Sequence, residues 1–571
     1  MISYIAKIFK ILGPAKKYLL TIVFFYIALS IVELFGIGLV PIYVGSILNS
    51  ENTYVINFVT FLNSFVSLPD PKIIPGILLL FVFVFKFIFA IYINKKIIIF
   101  SLEQLKILRL NILSKYQQTD YLNHLNLEKS QFMYNVTTLT VEFTITLIMI
   151  LRLAGDLFIS ICIIILLANI NFISLFFFLF AFSILFFFFD LISKSKLNTS
   201  GKLLNQSSGE IIKYIEECIN GFKEIKILNK EKFFHNKVKA STENYIKSLQ
   251  ATQVIQMLPK YLIELFLVLI VVSFSFFWIL GGNQVIDFIT AMSAFGVAAI
   301  KLFPMFNTLL QTISYLRNKK NSVDRLFNNL HNANFNKKLN TNQIKIKNFE
   351  NFRIKNFSFK YPKQEKFIFK DSSFEIKKNE SVGIVGNSGS GKSTLVNIFS
   401  GLLQITNGQL FINNKNCDAN DFIPLKNFIA YLPQDIFFIN GSIKENIALG
   451  IDPNLINDYD IFKAVKLASA YDFVMALPNG INSVIGELGA KFSGGEKQRI
   501  GIARAMYFNR DVLIFDEITS SLDRETAKKI KNEILKLNKI KTMVIITHDL
   551  QLVDFCDKIY KAENQMLTLI K

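Results

Sequence analysis

Six apolar stretches fill the first half of the chain, and each is long enough to cross a bilayer: Tyr18–Leu48, Ile73–Phe100, Glu142–Ala168, Phe172–Ser193, Met257–Leu280 and Val285–Leu316. A helix needs about 20 residues to span the hydrocarbon layer. Inside it every backbone polar group must be bonded within the segment, which selects helices here. The composition agrees, with 51% of the 571 residues hydrophobic, above the share expected of a soluble domain.

The links between these stretches set the orientation. Asn169–Asn171 joins the third to the fourth, and Gly281–Gln284 joins the fifth to the sixth; both are tight turns on one side. The links between the second and third and between the fourth and fifth are long and rich in Lys, which places them in the cytoplasm. The net charge of +20 fits that loop bias, so no nucleic-acid partner is expected. The first 17 residues carry Lys7, Lys10, Lys16 and Lys17 among apolar positions, and predict a short amphipathic helix on the inner membrane face. Thr53–Leu68 predicts a second such helix on the outer surface. Tyr121-Leu122 in the first inner link and Gly221–Phe234 in the second predict short helices that dock on a cytoplasmic domain. Cys162, Cys218, Cys417 and Cys556 are far apart and suggest neither a zinc site nor a disulfide framework.

Composition changes over Arg317–Gln343, which is polar and rich in Asn and Lys. The expected domains are 1–320, all-α with six membrane helices and two long cytoplasmic loops; a linker at 321–343; and 344–571, where short apolar strands alternate with helices as in an α/β domain.

The α/β segment holds Gly386-Asn387-Ser388-Gly389-Ser390-Gly391-Lys392-Ser393-Thr394, between a strand-like run and a helix-like run. That is the context of a phosphate-binding loop, in which backbone N–H groups close around phosphates. Lys392 is placed to reach the β- and γ-phosphates of ATP, and Ser393 to ligate Mg²⁺. Val512–Phe515 ends in Asp516, a second candidate Mg²⁺ residue, and Glu517, where a carboxylate can polarise an attacking water.

Phe492-Ser493-Gly494-Gly495-Glu496-Lys497-Gln498-Arg499 resembles the signature sequence of ABC transporters, with Phe492 and Glu496 as variants of the usual Leu and Gln. The remaining pieces resemble that family in order and spacing. Tyr361 resembles the aromatic that stacks on adenine, and Gln434 the residue that links Mg²⁺ and the catalytic water to the membrane domain. Ser521-Leu522-Asp523 resembles the D-loop, Gly486-Glu487 the segment by which exporters sense the inner loops, and His548 the switch histidine at the γ-phosphate. The resemblance implies an α/β P-loop ATPase domain fused to an exporter-type membrane domain. It also implies a domain-swapped dimer in which Ser493, Gly494, Gly495 and Glu496 of one copy close over ATP in the other. Glu517, His548 and Gln434 would then be catalytic, with Asp523 at the nucleotide and Ser393, Gln434 and Asp516 at Mg²⁺. A homodimer is the simplest partner arrangement, in the inner (cytoplasmic) membrane of a bacterium with the ATPase domain in the cytoplasm.

Charges inside the spans bear on what is carried, because each is costly in lipid. They are Glu33, Lys86, Arg152, Asp156, Glu264 and Lys301. Two readings stand: ion pairs between helices, or a basic cavity for an anionic headgroup. Glu33, the outer segment, Pro259-Lys260 before Glu264 and Lys301 before Pro304 resemble bacterial flippases of lipid-linked oligosaccharides. The alternatives are export of a peptide, lipid A or a drug, and, in another class, an ATP-gated channel or sensor.

Overall fold

The computed structural model describes residues 2–47, 57, 58, 60, 61, 73–170, 172–280, 285–331, 348–362, 364–417, 423–486, 492–517, 524–548 and 550–571. It divides into two units: Met1–Thr119 with Asn123–Lys337, and Asp120–Leu122 with Lys338–Lys571.

The first unit is helical. Its elements are α1 (Ile2–Leu12), α2 (Lys17–Ile47), α3 (Ile73–Gln117), α4 (Tyr121–Leu125, whose first two residues fall in the second unit), α5 (Lys129–Tyr134), α6 (Thr140–Ile170), α7 (Phe172–Asn220), α8 (Phe222–Ile227), α9 (Glu231–Leu280), α10 (Val285–Asn318) and α11 (Lys320–His331). Three helical segments, Tyr4–Ile47, Ile73–Gln117 and Lys129–Ile165, are long and apolar enough to cross a membrane by length and composition among the described residues. The long links are helical: α3, α7 and α9 run for 45, 49 and 50 residues, more than twice what the hydrocarbon layer requires. Helices α7 and α10 approach closely at Gly201, where an added Cβ would lie 1.8 Å from the Asn318 carbonyl oxygen.

Two expectations change. The apolar stripe of α1, Tyr4, Ile8 and Leu12, is buried in the core of the helical unit, and Lys7 pairs with Asp324 of α11 at 2.5 Å. That stripe packs on protein rather than lying free for a membrane surface. The polar stretch from residue 321 opens with α11, which buries Val323 and Leu326 at helical spacing despite its Asn and Lys content. Of the proposed outer helix, residues 57, 58, 60 and 61 are described, and they are helical.

Among the proposed cavity charges, Lys86 of α3 donates to Glu33 of α2 at 2.5 Å, with the pair 14% and 4% exposed. Arg152 and Glu264 are exposed and Asp156 is half-buried, while the Lys301 side chain lies outside the described residues. Deeper in the unit, the Tyr134 hydroxyl donates to Asn205 Oδ1 at 2.8 Å, and Asn205 Nδ2 donates to Ser322 at 2.9 Å. All three are buried, so this chain satisfies polar groups that would otherwise be costly.

The second unit contains two sheets. One is antiparallel, in the order β2 (Phe369–Lys377), β1 (Asn351–Phe359), β4 (Asn407–Ile412), β5 (Lys415–Cys417). The other runs β10 (Met566–Leu569), β9 (Lys558–Glu563), β3 (Ser381–Val385), β8 (Thr542–Thr547), β7 (Val512–Asp516), β6 (Ile429–Leu432), and is parallel from β9 to β6. Strands β3, β7 and β8 are buried throughout, which explains why each reads as a continuous apolar run. A phenylalanine-rich core joins the two sheets: Phe352, Phe374 and Phe399 pack edge to face, with centroids 4.6 Å apart for Phe352–Phe399. Tyr121 and Leu122, which belong to this unit, pack against the same core.

Candidate functional site

In an open parallel sheet, ligands bind beyond the carboxyl ends of the strands. Four adjacent strands deliver the candidate residues to that edge here. Strand β3 leads into residues 386–393, β8 into His548, β7 into Asp516 and Glu517, and β6 into Gln434. The parallel register pairs Val385 with Thr547, Asp516 with Ile546, and Leu432 with Phe515, so these strand ends are level.

The phosphate-type loop turns into α12 (Lys392–Phe399) at Gly391, whose φ is +99°. An added Cβ there would stand 2.6 Å from Ile368, so neither the dihedral nor the space accepts a side chain. Asn387, Ser388, Gly389 and Ser393 are exposed, whereas Lys392 is 7% exposed. Its ammonium folds back to donate to the carbonyls of Gly386 at 2.7 Å and Asn387 at 3.0 Å. Ser390 Oγ is buried and has no hydrogen-bond partner among the described residues. A buried ammonium, an unmatched hydroxyl and a helix N-terminus together fit a bound phosphate. Tyr361 lies beside this loop, its hydroxyl 3.2 Å from Thr394 Oγ1 and its ring edge-on to Phe359 at 5.1 Å.

The two carboxylates after β7 are held differently. Asp516 is 6% exposed and accepts from the Tyr431 hydroxyl at 3.1 Å. Burial pushes its carboxyl above the usual range; the Tyr431 bond opposes that rise, Glu517 adds to it, and Lys392 opposes it. Glu517 has a φ of +50°, uncommon for a residue with a side chain, and its N–H donates to the Ile546 carbonyl at 3.0 Å. Its Oε2 accepts from Gln434 Nε2 at 2.9 Å. A buried acid beside a phosphate-type loop suits Mg²⁺, which Asp516 would hold together with the side-chain oxygens of Ser393 and Gln434 at the same sheet edge. His548 is exposed directly after β8.

The signature-like segment forms its own structure. Beyond α13 (Ile443–Ile447), α14 (Asp458–Leu467) and α15 (Tyr471–Met475), Ser493 caps α16 (Gly494–Tyr507): its Oγ accepts from the Glu496 N–H at 3.3 Å, while Glu496 Oε2 accepts from the Ser493 N–H at 2.8 Å and hydroxyl at 2.9 Å. Phe492 packs toward Phe473, centroids 6.3 Å apart. Among the described residues no hydrogen bond joins 493–496 to the loop at 386–394. Ser521, Leu522, Asp523 and Glu487 lie outside the described residues.

Sequence reasoning missed three residues. Tyr431 is one. Arg504 of α16 donates to the carbonyls of Asn446 and Phe437, both at 2.8 Å, and burial pushes its guanidinium down to about 10. The buried Asn446 side chain bonds both N–H and carbonyl of Ile439, so α16 is braced against the segment that follows Gln434. A polar residue in an apolar helical run was the signal for Arg504; Asn446 gave none.

Residues 369–520 match the family model described as ABC transporter. A protein of Staphylococcus aureus strain NCTC 8325 / PS 47, named "Putative multidrug export ATP-binding/permease protein", is 41% identical over 209 residues, 36% of this chain and 36% of that protein. A protein of the same name from strain COL matches to the same extent. The match thus spans about a third of the length of these curated relatives (36%). A solved structure described as a bacterial Atm1-family ABC exporter with ATP bound superposes with a TM-score of 0.78 at 19% identity, covering 98% of this chain and 94% of that one. Residues 369–520 therefore carry the likeness to ABC transporters, and the chain as a whole has the fold of the solved ABC exporter.

Proposed function

We propose that this chain hydrolyses ATP to drive export of an amphipathic molecule across a bacterial cytoplasmic membrane, as one half of a homodimer with its ATP-binding domains in the cytoplasm. The observation that carries this reading is the delivery of Lys392, Asp516, Glu517, Gln434 and His548 to one sheet edge by four adjacent strands. Lys392 exchanges its two loop carbonyls for phosphate oxygens, and Ser390 gains the partner it lacks. Mg²⁺, when bound by Ser393, Asp516 and Gln434, neutralises phosphate charge. Glu517 orients and deprotonates water, and His548 contacts the γ-phosphate. Among the described residues no hydrogen bond joins the signature segment to the loop of its own chain, which supports the capped turn at Ser493–Glu496, with Asp523, as serving the nucleotide of the second copy. Tyr121–Leu125 in the first inner link and Phe222–Ile227 in the second, with Phe222 and Ile227 exposed, are the coupling elements of this reading.

For the cargo, a drug-like amphiphile is the better supported reading. The aligned relatives are named for multidrug export. Lys86, one of the basic groups behind an anionic-headgroup cavity, is already engaged by Glu33, which weakens support for a lipid-linked oligosaccharide. Reconstitution in liposomes tests the proposal. ATP-dependent movement of a fluorescent amphiphile, abolished by Glu517→Gln, is expected. Passive conductance that survives the substitution would point to a channel.

A further inference from the structure

We propose that Tyr431 is a positioning residue for the metal-holding carboxylate, its hydroxyl fixing one oxygen of Asp516 so that the other is presented to Mg²⁺. The inference deepens the proposed ATPase reading and rests on it.

The geometry is specific. Strand β6 pairs with β7 in parallel, with Tyr431 opposite Ile514, so a side chain leaving Tyr431 must reach two residues along to meet Asp516. A phenol has that length, and the hydroxyl donates to Oδ2 at 3.1 Å. An aspartate carboxylate rotates with broad, roughly two-fold freedom about its last torsion. A single donor on one oxygen removes that freedom. Metal-ligating groups are commonly oriented by such outer partners, and the partner's loss weakens the metal rather than the ligand that the metal serves.

The neighbouring chain makes the arrangement economical. Leu432 and Pro433 separate Tyr431 from Gln434, whose amide donates to Glu517 at 2.9 Å. One four-residue segment thus supplies a hydrogen-bond donor to each of the two adjacent carboxylates. Tyr431 is also 38% exposed, so its ring is not held in place by burial alone.

The test uses the full chain in a Glu517→Gln background, where nucleotide is retained without turnover. Nucleotide affinity is measured in EDTA with a fluorescent ATP analogue, and Mn²⁺ affinity of the ATP-loaded protein by electron paramagnetic resonance. Tyr431→Phe should leave the EDTA affinity unchanged and weaken Mn²⁺ by about 10-fold or more. It should add nothing further to Asp516→Asn, since both act on one carboxylate. Unchanged Mn²⁺ affinity, an additive loss in the double variant, or an equal loss in EDTA would each overturn the inference. If the parent protein bound no ATP at all, the ATPase reading itself would fall instead.

Discussion

Gln434 Nε2 donates to Glu517 Oε2 across 2.9 Å, tying the second residue after β6 to the first after β7. Both are exposed or half-exposed at the strand edge, and Glu517 holds an unusual positive φ while making that bond. In this arrangement the N–H group of Gln434 holds the carboxylate proposed to act on water, and leaves its Oε1 as the atom proposed to face Mg²⁺.

Glu517→Gln keeps an amide oxygen for Gln434 but removes the base. ATP hydrolysis should fall at least about 100-fold, the lower end of what a positioned acid–base group contributes. ATP binding should persist, and an ATP-bound dimer should accumulate on size-exclusion chromatography. A protein that stayed monomeric with ATP bound would remove the case for a shared site.

Lys392→Ala removes the ammonium that now rests on the Gly386 and Asn387 carbonyls. Bonds from a charged donor are worth about 1.5–3 kcal/mol, so affinity for ATP should drop about 10-fold or more. The melting temperature without nucleotide should move far less, because the loop carbonyls that lose their donor are near solvent. Equal affinity in the variant and the wild type would refute the phosphate assignment.

The local parts of this site are legible in the order of the residues. Positions 386–394 encode their own turn and helix start, and Ser493 with Glu496 spells a capping box three residues apart, so the Glu that departs from the usual Gln has a structural use. Contacts set by strand order are not legible in that way. Tyr431 and Asp516 are 85 residues apart and meet only because β6 lies beside β7. Glu33 and Lys86 pose the same difficulty in the helices: each reads in the sequence as either a cavity charge or half of an ion pair, and only the packing of α2 on α3 shows that the two meet. Helix α11 is hidden by composition, since its buried apolar residues, Val323 and Leu326, sit among Asn, Lys and Arg.

Asp557 supplies a pH prediction away from the nucleotide. Burial raises its carboxyl, but the Lys539 ammonium and the Ser381 N–H and hydroxyl outweigh that and hold it below the ordinary value of 3.8. A carboxyl depressed in the folded state contributes stability that is present above the unfolded value and lost as pH falls through the folded one. The melting difference between wild type and Asp557→Asn should therefore be constant from neutral pH to about 5 and close below 3.8. A difference that stayed level into that acidic range would show that Asp557 acts by shape and not by charge.

The Glu33–Lys86 pair decides between two uses of charge in the helical unit. At 4% and 14% exposure it is a buried ion pair. Removing one partner of such a pair commonly costs about 3–5 kcal/mol, while replacing both with neutral groups of similar size can be neutral. Lys86→Met should therefore lower expression and melting temperature sharply, since it leaves Glu33 without the ammonium. Glu33→Gln with Lys86→Met should recover most of that loss. If the pair only joins α2 to α3, the double variant transports and shows substrate-stimulated ATP hydrolysis at close to the wild-type level. If Lys86 instead holds an anionic headgroup, stability returns in the double variant but substrate stimulation does not, and the lipid-linked cargo regains its support.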